Sequence, residues 1–416
     1  MTAVERFLNY IKIDTTSDSS KERTPSTEGQ NTLAKYLVEE LAEMGITNEN
    51  DIKNIVFDQE YGYLYVRVLG NSDLPSIGFV AHLDTSESAS GKNIRPKIIE
   101  NYDGEDIKLN EFTKLSPDTY PDLKNHIGKT LITTDGTTLL GADDKAGIAE
   151  IMQMLEYYSK TDEKHGEIIV CFTPDEEIGR GTSHIDYSIF NPKFAYTVDG
   201  SSLGEISYEN FNAATATITI EGVPTHTGSA KGIMENSLKA ALDIDLFLPD
   251  DEVPERTEGY QGFFHLQKIT GTVAKTQMTY LLRDFEKELL EQRVEELEKV
   301  IETIRTEYND IPIKLDVTYS YNNMYEIIKE HPELIDRTKK VMKENDIAPI
   351  TKPIRGGTDG VDISFNGIPC PNLGTGGHNF HSVYEYIAVE DIEQTTNLLI
   401  SIVKEFSKDN NKQMTK

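Results

Sequence analysis

Three times in its first half the chain runs from a short apolar stretch straight into a polar cluster. SIGFVA leads into HLDT over 76–85, EIIVCF into TPDEEIG over 167–179, and FAYTV into DGSS over 194–202. Short bounded runs rich in Val, Ile, Phe and Tyr read as buried strands. The stretches 31–44 and 148–159 carry helical apolar periodicity, so strands alternate with helices and the chain is confined to an α/β layered architecture. In such sheets ligands gather beyond the carboxyl ends of the strands. Each polar cluster falls there.

From about Asn210 the texture changes. TATITI at 215–220 alternates cleanly, a Gly/Pro/Thr/His loop follows, and then a helical stretch over 235–247. Strands over 263–269 and 275–283 turn around Gly271, a charged helix spans 285–308, and a last strand covers 313–321. The order β-α-β-β-α-β is that of a ferredoxin-like unit. After Asn322 the α/β texture resumes, with helices over 332–345 and 389–406 and the Gly-rich loops RGGTDG and GTGGHNFHS. One domain, 1–209 with 322–416, is therefore expected to be interrupted by a second, 210–321.

Composition removes several function classes. A net charge of −30 opposes nucleic-acid binding, which needs clustered Lys and Arg. No run approaches the apolar length of a membrane span, and MTAVERFLNYIKIDTTSD is an amphipathic pattern carrying both charge signs, unlike a signal peptide. Cys171 and Cys370 are isolated; they suit a reducing cytoplasm and exclude a cysteine-rich metal site. The polar tail 408–416 reads as frayed.

GADDKAG at 141–147 places two aspartates side by side before a helix. One would suffice as an N-cap; the second asks for another partner. Possible metal ligands stand in five loops: His82 and Asp84, Asp143 and Asp144, Glu176 and Glu177, Asp199, and His381. Taken singly, each has an ordinary reading as a turn, cap or surface loop. Together, mixed imidazole and carboxylate ligands suit zinc, and a carboxylate is able to bridge two ions. His126, His165, His184, His265 and His331 have no carboxylate in a comparable loop and read as structural, with His378 a loop brace.

The stretches AHLDT, LLGADDKAGIAEIM, FTPDEEIGRG, VDG, THTGSAKG and GTGGHNFHSVYE resemble the di-zinc exopeptidase and deacylase family, which includes carboxypeptidase G and succinyl-diaminopimelate desuccinylase. The resemblance covers essentially the whole chain. It implies a zinc-exopeptidase-like catalytic domain with a mixed sheet between helices, and makes the inserted unit a lid and homodimerisation domain. It also implies two Zn²⁺ per subunit, with His82 and Asp199 on one ion, Glu177 and His381 on the other, Asp143 bridging the two, and a cis peptide bond between Asp143 and Asp144. Asp84 would orient His82, Glu176 would act as general base, and His226 would polarise the scissile carbonyl across the dimer interface. Arg283 and Arg355 are candidates to pair a substrate carboxylate. Lys145 is placed to neutralise Asp144. RGGTDG and the long insert over 86–126 favour the family's tripeptide aminopeptidase branch. A carboxypeptidase or N-deacylase on the same scaffold is the alternative, and a non-catalytic metal-binding module the rival of another class.

Overall fold

The computed structural model describes residues 1–48 and 54–408; residues 409–416, in the tail read as frayed, lie outside them. The largest sheet has seven strands in the order 55–57, 64–68, 168–173, 77–82, 194–200, 372–374 and 206–207. Four neighbours, 168–173, 77–82, 194–200 and 372–374, run parallel, and the outer strands pair antiparallel. Every residue of Ile77–His82 and Ile168–Thr173 is buried, as parallel strands covered on both faces require. Val80, Ile169, Cys171 and Ala195 cluster with Ile363 of helix Asp359–Phe365. Helix Ala142–Lys160 packs against strands Ile77–His82 and Phe194–Gly200. Its Gly147 permits that approach, because a Cβ there would lie 2.0 Å from the Val198 carbonyl oxygen.

Parallel pairing has a direct consequence for the polar clusters. His82 ends its strand, the DEE loop follows Thr173, and Asp199 lies near the end of its own strand. All three emerge at one edge of the sheet. A smaller antiparallel sheet orders 377–378, 386–388, 131–133 and 97–99. The loop between its first two strands carries His381 and Glu385.

Contacts divide the chain into two compact units: Met1–Tyr208 with Ile327–Thr351 and Thr358–Lys416, and Glu209–Glu326 with Lys352–Gly357. The second unit is a four-stranded antiparallel sheet in the order 263–271, 275–284, 212–221, 313–321. Helices Ser237–Phe247 and Lys287–Glu307 complete the β-α-β-β-α-β order. Ala214, Ala216, Ile218 and Ile220, alternate residues of one strand, share a core with Ala240, Ile244, Leu297 and Ile301. The long charged helix buries only Leu290, Val294, Leu297, Val300, Ile301 and Ile304, the single stripe of a sheet cover. RGGTDG is split between the units, Arg355–Gly357 falling in the second and Thr358–Gly360 in the first. No helix among the described residues is long and apolar enough to cross a membrane.

Candidate metal centre

Asp143 sits in the first turn of helix Ala142–Lys160 with non-helical φ −85°, ψ 103°, and its peptide bond to Asp144 is cis. The helix turn therefore gives way where the aspartate faces the loops. Its Oδ1 lies 2.9 Å from His82 Nε2 and its Oδ2 lies 3.0 Å from His381 Nε2. His82 Nε2 is also 3.3 Å from Asp199 Oδ1, and His381 Nε2 is 2.9 Å from Glu177 Oε2. Two donor groups result, His82–Asp143–Asp199 and Asp143–Glu177–His381, each with its ligand atoms within 4.8 Å of one another. Asp143 is common to both.

The loops are held by buried carboxylates. Asp84 accepts the backbone N–H groups of Glu176 (3.0 Å) and Glu177 (3.2 Å). Its main-chain carbonyl stands 3.1 Å from His82 Nδ1 and its Oδ1 3.4 Å from the same nitrogen. The carbonyl is thus the nearer acceptor for the second imidazole N–H, and the carboxylate serves chiefly to gather the two glutamates. Glu385, four residues past His381 and buried, accepts N–H bonds from Leu140 (2.6 Å), Gly141 (2.9 Å) and Asp143 (3.1 Å). Asp144 takes the N–H of His82 at 3.1 Å. Lys145 does not reach it: the ammonium donates to the Ile13 carbonyl at 2.7 Å, so the expected neutralisation of Asp144 by Lys145 does not occur. Burial lowers the Lys145 pKa to about 8.

Charge in the cluster is lopsided. Six carboxylates (Asp84, Asp143, Asp144, Asp199, Glu176 and Glu177) face two imidazoles, and among the described residues no lysine or arginine pairs with them. Burial pushes Asp199 up to about 6 and Glu177 up to about 7. Burial, then the Asp199 charge, raises Asp144 and Glu176 well above the carboxylate range. Asp143 goes the other way: burial resists its charge, but hydrogen bonds to His381 and His82 hold it low. Hydrogen bonds to Asp143 and Glu177 raise His381 to about 10. Such a surplus of buried negative charge is costly unless cations compensate it.

Three observations say that a pair of divalent ions fits. The side-chain oxygens Glu177 Oε1 and Asp144 Oδ1 are buried without a hydrogen-bond partner. The donor set is the nitrogen and oxygen mixture zinc takes. Donors about 2.0–2.2 Å from one tetrahedral ion lie about 3.3–3.6 Å apart; the imidazole-to-carboxylate separations here are 2.9–3.3 Å, and all ligand atoms of each group lie within 4.8 Å of one another.

The remaining candidates belong to the second unit. His226 is exposed and caps the turn Thr227–Ser229, its Nδ1 accepting the Gly228 N–H at 3.1 Å. Arg283 Nη1 donates to the carbonyls of Ala214 (3.1 Å) and Leu282 (2.9 Å). Arg355 donates to Gly259 O, Gln261 O and Thr257 Oγ1 at 3.0, 2.7 and 2.8 Å, and stacks over Phe211 and Phe263. His378 stacks on Tyr386 and meets His126 edge-on. Two of the histidines read as lacking carboxylates do have them: His126 Nε2 is 3.1 Å from Asp391 Oδ2 and His331 Nδ1 is 3.5 Å from Glu333 Oε1. Asp391 is 265 positions from His126, beyond what loop-by-loop inspection detects. Glu385 was equally hidden, although its spacing of four from His381 within one hairpin was the available signal.

The family model of peptidase family M20/M25/M40 matches residues 133–405. The chain is 48% identical to Peptidase T of Bacillus licheniformis, covering 97% of this chain and 98% of that one. Against Peptidase T of Bacillus subtilis the identity is 49%, over 97% and 98%. Among solved structures, aminopeptidase PepT of Bacillus cereus aligns with a TM-score of 0.76 at 22% identity over 98% of both chains. A dinuclear metal-binding M20 peptidase of Bacillus subtilis aligns at 0.64 with 14% identity over 96% of both. The two structures agree in fold, and the family follows from the sequence match: this chain belongs to peptidase family M20/M25/M40.

Proposed function

We propose that this chain is a metal-dependent aminopeptidase that releases the N-terminal residue from tripeptides, with two Zn²⁺ per subunit. The observation that carries the reading is Asp143, one oxygen toward each imidazole, beside a Glu176 that belongs to neither donor group. The relatives named Peptidase T supply the substrate class. His82 and Asp199 would hold one ion, Glu177 and His381 the other, with Asp143 shared. Such ions supply Lewis-acid polarisation and lower the pKa of an attacking water.

The protein groups divide the remaining work. Glu176 takes a proton from the attacking water and delivers it to the leaving amine. Asp84 fixes the N–H groups of both glutamates and, with its carbonyl, keeps the His82 proton on Nδ1 so that Nε2 is the ligating atom. His226 accepts a bond at Nδ1, so the neutral ring carries its proton on Nε2 and can donate to the scissile carbonyl oxygen. Arg283 and Arg355, each already serving carbonyl acceptors, are the candidates for the substrate's terminal carboxylate. Buried, unpaired Cys171 and Cys370 suit a cytoplasmic setting.

A substrate panel tests this reading. Chelation is expected to abolish hydrolysis of a free tripeptide and Zn²⁺ to restore it. N-acetylation should abolish cleavage, because a site that pairs an ammonium leaves its acceptors unpaired with the acylated analogue. C-amidation should weaken it. Efficient release of acetate from the acetylated peptide would instead establish the deacylase alternative.

The homodimer is part of the proposal, with His226 acting at the partner's site. Chains carrying Glu176→Ala or His226→Ala alone should be nearly inactive. Co-expressed, half the dimers are mixed and each has one complete site of two, so roughly a quarter of the parent activity should return. Background activity in verified heterodimers would place His226 with its own chain.

A further inference from the structure

Glu176 follows Asp175, a fully buried residue whose backbone lies in the left-handed region at φ 55°. A residue with a Cβ persists there only where its neighbours over-determine it. Those neighbours come from far away in the chain. The Ser26 N–H donates to Asp175 Oδ2 at 2.7 Å, and Ser26 Oγ and Gln30 Nε2 donate to Oδ1 at 2.5 and 2.7 Å. In return, the Asp175 N–H donates to Gln30 Oε1 at 3.0 Å. Ser26 and Gln30 are as buried as Asp175, at 1% and 0% exposure. A second tie runs from Arg180 Nη1 to the Lys21 carbonyl at 2.6 Å.

The turn that carries Glu176 is thus clamped from two directions. Asp84 takes its N–H groups on one side, and the segment 26–30, where helix Glu28–Glu43 begins, takes Asp175 on the other. None of Ser26, Gln30 and Asp175 belongs to either donor group around Asp143. We propose that these three side chains form a latch that aims the Glu176 carboxylate, making them positioning residues for its proton transfer. The inference rests on the reading of Glu176 as the proton carrier. A misplacement of about 1 Å in such a group costs on the order of 10²-fold in rate, whereas metal ligands and substrate contacts outside the turn should be indifferent to it.

A reciprocal exchange of donor and acceptor tests the latch in the full, metal-loaded chain. In Asp175→Asn, an oxygen that still accepts the Ser26 N–H leaves the new amide NH₂ facing that of Gln30. In Gln30→Glu, two carboxylates meet. Combined, the new amide donates both to the new carboxylate and to Ser26 Oγ. The Ser26 hydroxyl proton turns to that carboxylate, whose oxygen takes the place of Gln30 Nε2 at 3.4 Å, so every group regains a partner. Each single variant, compared with the parent at full zinc occupancy because Glu177 shares the turn, is expected to lose on the order of 10²-fold in kcat with KM for a tripeptide unchanged, and the double variant to recover most of the loss. Ser26→Ala, a milder change, should lower kcat less and in the same selective way; it decides the matter if the single variants do not fold. Unchanged kcat at full zinc occupancy, or a double variant no better than the worse single one, overturns the latch. Glu176→Gln assayed alongside separates the two claims. If it keeps full kcat, the proton-carrier reading falls and the latch with it. If it is inactive while the latch variants are normal, only the latch falls.

Discussion

Glu176→Gln is expected to lower kcat by roughly 10²–10⁴-fold while leaving zinc per chain and KM for a tripeptide unchanged. The amide keeps the size and backbone bonds of the side chain and removes only its ability to take and return a proton. Its neighbour should behave in the opposite way. Glu177 Oε2 lies 2.9 Å from His381 Nε2 and its Oε1 is buried without a partner, so Glu177→Gln should lose metal first and activity as a consequence. Asp84 fixes the N–H groups of both glutamates, yet only Glu177 belongs to a donor group. Burial and the Asp199 charge raise the proton affinity of Glu176, a direction that cations held at the neighbouring donor groups would oppose. Kinetics paired with elemental analysis separates the roles. Metal loss in Glu176→Gln with metal retained in Glu177→Gln would exchange the assignments.

What sequence reading recovers here follows the range of each interaction. The strand at 76–81, the helix over 148–159 and the alternation of TATITI are local patterns, and the structure places strands and helices there within a few residues, except where helix Ala142–Lys160 starts earlier than its apolar periodicity. There Asp143 and Asp144 break the helix with non-helical angles, so the regular helix begins after them, close to where the apolar run does. The loops themselves were legible because each follows a strand end in a parallel sheet. Their supports were not. Lys145 beside Asp144 invited an ion pair, but its ammonium is drawn to Ile13 O, a main-chain acceptor no sequence pattern marks. Ser26 and Gln30 carry no motif at all, yet they hold Asp175 across 149 and 145 positions. Contacts that join distant segments through single polar side chains have no period to detect.

Asp143→Ala is expected to empty both metal positions, and that loss is larger than any other single ligand should cause. Asp143 is the one residue common to the two donor groups, so removing it leaves His82 with Asp199 and His381 with Glu177, two protein ligands each where zinc ordinarily takes at least three. It also removes a carboxylate whose two oxygens would together offset charge on both proposed ions, and whose own charge the flanking imidazoles favour against the cost of burial. His82→Ala and His381→Ala should each cost chiefly the ion on their own side, and combining them should approach the content of Asp143→Ala. Asp143→Asn refines the argument, because the amide retains one oxygen. It still offers an acceptor to one imidazole and turns an NH₂ toward the other, so it should keep at most one zinc per chain and little activity. Zinc per chain after dialysis, measured by elemental analysis on folded protein, reads all four variants. If Asp143→Ala retained one tightly held ion, the aspartate would belong to a single donor group, and its short distances to both His82 and His381 would be only the hydrogen bonds of a metal-free cluster.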